Sequence, residues 1–182
     1  MNGGLGWENK ESWIGLVFSA AGASALIFGS IVVPWSVKKM GANPVSIGSN
    51  FILSPIMIAY GFTRLFSTDI AMAFYISTVN LFLGAMSSGF WISNALVINS
   101  TADKRVIGSA NGISVALSNL ARTFGPLTAG FMFGWTTQNN LDFPFNYWMP
   151  LLYLATLCLI SAVLCVIYAT RTSTTNPKEE SS

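Results

Sequence analysis

Five stretches of this chain, about residues 12–35, 45–66, 70–98, 107–135 and 147–170, run for twenty residues or more with almost no charged side chains. About 20 consecutive apolar residues cross the hydrocarbon core of a bilayer as a helix, whereas a barrel strand needs only about half that. Inside hydrocarbon every backbone N–H and C=O has to be satisfied within the protein, so runs of this length fold as helices. The expected fold class is therefore an all-α membrane protein with five transmembrane helices. Composition excludes the soluble alternative. Only 9% of the 182 residues are charged, against about 25% in a soluble domain, which is too little polar surface to coat a globular body.

The same pattern divides the chain. Residues 1–11 form a polar leading segment, 12–170 a five-helix transmembrane bundle, and 171–182, RTSTTNPKEESS, a polar tail expected to be disordered. The opening MNGGLGWENKES is neutral, unlike the basic start of a signal peptide. It reads as an interhelical loop that happens to begin with Met, and so as part of a truncated product or fragment. Basic residues give an orientation, because cytosolic loops are enriched in Lys and Arg. One side of the membrane receives Lys38, Lys39, Lys104, Arg105, Arg171 and Lys178, the other only Lys10 and Arg64. The expected C-terminus is cytosolic and the N-terminus extracellular or lumenal. The Asn99-Ser100-Thr101 sequon, in the expected loop after the third segment, then lies in the cytosol and stays unmodified.

Polar residues inside the spans fall on faces, since positions three or four apart share one side of a helix. In the third segment Ser77, Asn80, Gly84, Ser87, Trp91 and Asn94 form one stripe, away from Phe74, Leu81, Phe82, Leu83 and Phe90. Close packing and the wall of a hydrated cavity both account for such a stripe. The fourth segment carries Asn111, Ser114, Ser118, Arg122 and Gly125. A charged residue at the bilayer centre costs roughly 2.5–3.5 kcal/mol on insertion scales, so it faces protein or water. Arg122 either pairs with a carboxylate or with helix carbonyls, snorkels to the membrane edge, or binds an anionic substrate group. No Asp or Glu lies within the core of any span, so a carboxylate partner has to come from elsewhere. In the first segment Gly15, Ser19, Gly22, Ala23, Gly29 and Ser30 predict close helix packing. Ser54-Pro55 predicts a kink in the second. The fifth, apolar all round, reads as a peripheral, lipid-facing helix with Tyr147, Trp148 and Tyr168 as interfacial anchors.

Chemistry other than transport finds little to work with. The chain has no His, the commonest metal ligand and general base. Cys158 and Cys165 lie seven residues apart, about 10 Å along a helix, and read as small packing residues. No metal site, cofactor or catalytic constellation is implied, and no basic cluster points to nucleic acid.

Small residues punctuate the fourth segment at regular intervals: Gly112, Ala121, Gly125-Pro126, then Ala129-Gly130. This spacing resembles the Gly-(eight residues)-Gly-(three)-Gly-Pro-(two)-Gly-Gly signature of major facilitator superfamily antiporters, with alanine at two glycine positions. In full, DKRVIGSANGISVALSNLARTFGPLTAGFMFGW resembles the eleventh helix of the drug:proton antiporter branch, zinc-induced-facilitator-like and fungal in character. The resemblance covers nearly the whole chain as helices eight to twelve. It implies a partial major-facilitator fold, the C-terminal bundle lacking its first helix, with the tenth helix along a cavity and the twelfth at the periphery. It further implies rocking of two halves about that cavity, and hence a missing N-terminal half from the same gene or a partner chain.

The function expected is secondary active transport, a proton-coupled antiport of a small organic molecule or chelate in the plasma or vacuolar membrane. Asn80, Ser87, Trp91, Asn94, Ser118 and Arg122 are the expected pathway residues. Gly112, Ala121, Gly125, Pro126, Ala129 and Gly130 form the expected bend and packing motif. The second expectation is a non-transporting remnant or a membrane interaction module.

Overall fold

The structure, a computed structural model, describes residues 11–138 and 141–175. It is helical, and no strand occurs among the described residues. The order is α1 (Glu11–Ile27), a π turn (Phe28–Val32), α2 (Val33–Met40), α3 (Ala42–Ala59) ending in a 3₁₀ turn (Tyr60–Leu65), α4 (Asp69–Thr101), α5 (Ile107–Gln138) and α6 (Trp148–Thr175). Since α1 and α2 run on through the π turn, these make five spans, and their ends fall within five residues of the expected ones. Four are long and apolar enough to cross a membrane: Ser12–Met40, Ala42–Leu65, Asp69–Thr101 and Trp148–Arg171. The other, α5, has the length, about 48 Å at 1.5 Å per residue, but its asparagines, serines and Arg122 make it more polar than the rest.

Local chemistry explains the boundaries. Pro34 has no N–H to donate to the Ser30 carbonyl and its ring crowds that turn. The helix relieves this by widening just ahead of it, where the Val33 N–H donates to the Phe28 carbonyl five residues back. Gly41, at φ 88°, then ends α2 in a conformation side chains rarely adopt. Thr68 caps α4, its hydroxyl accepting from the Ala71 N–H. Pro55 and Pro126 both sit inside helices that continue past them.

Three expectations change. Asn99, Ser100 and Thr101 are the last turn of α4, not a loop. The Asn99 Oδ1 accepts a 2.7 Å hydrogen bond from the Asn111 amide and so braces α4 against α5. The polar tail begins later than residue 171, because α6 continues to Thr175 with no Gly or Pro to stop it. Residues 1–10 and 176–182, the remainder of both polar ends, lie outside the described residues. Finally, the small residues of α1 do not all mark a packed face: Gly15, Ser19, Gly22 and Ala23 are exposed on its open side, and only Gly29 approaches another helix, at Ser88 and Ile92.

The bundle is built around α4, which packs against α1 on one side and α3 on the other, while α6 lies on α3. A small apolar core of Val17, Ala73 and Ile76 joins α1 to α4, with Trp13, Tyr60, Met72 and Tyr75 around it. Elsewhere the helices meet through small and polar groups, as membrane helices do. A Cβ at Gly84 would sit against the Ala21 carbonyl oxygen and Ser24 Oγ of α1, and one at Gly89 against Ser49 Oγ of α3. On α3, Ser46, Ser49, Asn50 and Ser54 are all buried. Asn50 donates to Ser161 Oγ at 2.9 Å and Ser54 to the Ala155 carbonyl at 3.1 Å, tying α3 to α6. The exposed surface is apolar, with Phe74, Phe82, Leu26 and Ile160 outward, as hydrocarbon requires. By contrast α5 touches α4 and α6 only lightly.

Tyr60 donates to the Asn80 Oδ1 at 2.8 Å, and Asn80 is only 2% exposed. Tyr60→Phe should therefore destabilise the bundle by about 1 kcal/mol and lower its melting midpoint in detergent. In the Asn80→Ala background the same change should have a much smaller effect. Equal effects in both backgrounds would show that the two side chains are not coupled.

Candidate functional site

The stripe on α4 divides into two parts. At its lower end Asn80 and Gly84 are packed, the first against Tyr60 and the second against α1. Two to three turns on, Trp91 and Asn94 look toward α5 across a cavity of about 190 Å³. The opposite wall is the polar face of α5, formed by Asn111, Ser114, Ser118, Asn119 and Arg122, with Ala95, Ile98 and Val115 completing the lining. The structure thus brings Trp91, Asn94, Ser118 and Arg122 together. Asn80 and Ser87 do not line this cavity, and Asn80 is occupied in a packing hydrogen bond.

Arg122 is exposed, and its guanidinium carbon stands 5.3 Å from the centroid of the Trp91 ring. A cation over an indole face is held by the ring quadrupole with about 0.5–1 kcal/mol at an exposed site. Stacked this way, the guanidinium keeps its N–H edge available for a planar anionic or carbonyl group. No carboxylate pairs with it among the described residues. One turn further along, Pro126 cannot donate to the Arg122 carbonyl, so the same residue also presents an acceptor. Thr128 partly repairs the local backbone by donating to the Phe124 and Gly125 carbonyls, at 3.0 and 2.9 Å. Asn111 is held by Asn99, and Ser118 donates to the Ser114 carbonyl at 2.8 Å, leaving its oxygen able to accept. The cavity can therefore offer one fixed positive charge, an aromatic face and amide groups. It holds no group of three metal-ligating side chains among the described residues.

The small-residue motif interleaves with these polar residues on the same helix. A Cβ at Gly112, Gly125 or Gly130 would meet nothing within 4 Å, Ala121 and Pro126 are exposed, and Ala129 is half-buried. Thus α5 turns polar residues to α4, while the glycines interleaved with them, Gly112, Gly125 and Gly130, are covered by no described helix.

Sequence reasoning missed the buried polar face of α3. Its signal is the recurrence of Ser46, Asn50 and Ser54 at steps of four, which places them on one side of the helix. Gly89 was missed because it lies off the main stripe of α4.

Comparison with known proteins agrees with this architecture. One relative is an Arabidopsis thaliana protein named "Probable peptide/nitrate transporter", 26% identical over 138 residues, covering 76% of this chain and 28% of the relative. Another is Zinc Induced Facilitator 1 of the same plant, 25% identical over 136 residues, 75% of this chain and 27% of the relative. A third is the major facilitator-type transporter psiT2 of Psilocybe cubensis, 23% identical over 154 residues, 77% of this chain and 29% of the relative. The chain therefore spans less than a third of the length of these relatives. No solved structure matches it. The family model of the Major Facilitator Superfamily matches residues 2–182. With a helical membrane bundle already in view, that match over nearly its whole length places the chain in the major facilitator superfamily of membrane transporters.

Proposed function

We propose that this chain supplies helices eight to twelve of a secondary transporter, in which the α4–α5 cavity forms one wall of the pathway. The observation that carries this reading is Arg122, a fixed charge midway along α5, stacked on Trp91 beside Asn94 and Ser118. With α5 as the fourth span, an unpaired charge midway along it is a functional feature by default. Its chemistry favours a small organic molecule or chelate bearing an anionic or carbonyl group. Exchange against protons is the proposed coupling, and the acid that would carry the proton belongs to helices outside this chain.

The uncovered glycines of α5 support a second bundle as its partner, an N-terminal half from the same gene or another chain. The relatives, each more than three times longer than the matched stretch, support the same partner. The zinc-induced-facilitator-like, fungal branch is proposed on the helix-eleven resemblance. Lys38 and Lys39 in the last turn of α2, Lys104 and Arg105 between α4 and α5, and Arg171 in the last part of α6 are gathered at one end of the bundle by the antiparallel order. There Tyr168 donates to Thr101, while Arg64 stacks on Tyr147 at the other. That end is the proposed cytosolic side, with the C-terminus there, in the plasma or vacuolar membrane.

A charge-assisted hydrogen bond to cargo is worth about 1.5–3 kcal/mol, so Arg122→Ala should cut proton-gradient-driven uptake into vesicles by about 10- to 100-fold. The measurement uses this chain joined to its complementary helices, with Arg122→Lys as the conservative comparison. Unchanged uptake by Arg122→Ala would remove the residue from the pathway. Absence of any uptake by the assembled protein would favour the non-transporting remnant.

A further inference from the structure

On the face of α4 next to the one that meets α5, a second cavity of about 390 Å³ opens between α3, α4 and α6. It is about twice the size of the Arg122 cavity, and Asn94 and Ile98 line both. We propose that it is a binding site for an uncharged, hydrogen-bonding amphiphile, such as a primary amide or alcohol with a short hydrocarbon chain, distinct from the cargo held at Arg122.

The chemistry of the lining selects that class. Asn43, Ser46, Asn94 and Ser161 supply amides and hydroxyls, Phe90 and Leu164 supply apolar surface, and no charged residue contributes. A charged ligand would leave water without a counter-charge, which is strongly unfavourable. A wholly apolar ligand would leave the polar groups unmatched. Ser46 makes the strongest case. It is 3% exposed, and its Oγ has no hydrogen-bond partner among the described residues. Buried hydroxyls are normally paired, so this one is an open position for a ligand's amide or hydroxyl. Ser161 is ready to complete the contact, because its oxygen accepts from Asn50 and its own O–H remains to donate. Access is from the lipid side, where Leu164 on the cavity wall is 60% exposed.

Cys165 lines this cavity and Cys158 does not, and both are free thiols. That permits a direct test on the 182-residue protein in phospholipid vesicles at neutral pH. The rate of Cys165 alkylation by N-ethylmaleimide is measured in Cys158→Ser, with octanamide, octanoate or octyltrimethylammonium added to equal membrane-bound amounts. Octanamide should slow alkylation at least about five-fold, and the two charged homologues should leave it unchanged. In Cys165→Ser, alkylation of Cys158 should be insensitive to all three. Ser46→Ala removes only an unpaired oxygen, so the fold is kept, as a melting curve verifies, and octanamide protection should be lost. Equal protection by the charged homologues, protection surviving in Ser46→Ala, or no protection by octanamide would each overturn the assignment. The last result would leave a cavity filled by water.

Discussion

Gly84→Val should destabilise the bundle by about 3 kcal/mol, the upper end of the range for overpacking, while Gly22→Val should be close to neutral. The contrast follows from what a side chain would meet. At Gly84 the obstacle is the Ala21 carbonyl and Ser24 Oγ, backbone and a buried group that cannot step aside. At Gly22 there is nothing within 4 Å. Both are glycines in apolar spans, so helix propensity and hydrophobicity change alike. Thermal melting followed by size-exclusion chromatography in detergent checks the pair. If both variants melt with the unaltered protein, α1 and α4 do not approach as described.

The second large effect belongs to α5. Gly125→Leu and Gly130→Leu should leave the melting midpoint of the 182-residue protein unchanged, since both positions face open space. When the complementary helices are supplied, the same substitutions should abolish assembly and uptake, because two helix backbones that meet over glycine cannot admit leucine. Co-purification of the two parts together with vesicle uptake reads this out. Normal assembly of both variants would mean that these two positions are turned to lipid in the complete transporter.

How much was legible beforehand varied with the kind of signal. The five spans were readable because a bilayer sets their length, and loss of charge marks it at every position. The Trp91–Arg122 encounter was half readable. Spacing put each residue on a polar face, but only packing decided that the two faces look at each other and that Asn80, on the same stripe, is spent on Tyr60. Small residues proved ambiguous for a physical reason. They permit close approach without naming the neighbour, so Gly84 is packed while Gly15 and Gly22 look outward. The buried hydroxyls of α3 were legible only as a spacing, Ser46, Asn50 and Ser54 at steps of four, since a serine alone shows little about whether it is buried.

The π turn ahead of Pro34 has a geometric consequence for the first span. Along α1 the residues meeting α4 follow ordinary steps, Val17, Ala21, Ser24. The next to make contact is Gly29, five positions on, and then Val33, which lies near Gly89. Phe28, where an unbroken rhythm would place the contact, is instead exposed. One surplus residue thus acts as a phase shifter. It turns the later half of the rod so that both halves keep addressing the same neighbour, and it makes any single helical wheel drawn through this span misassign everything beyond residue 28.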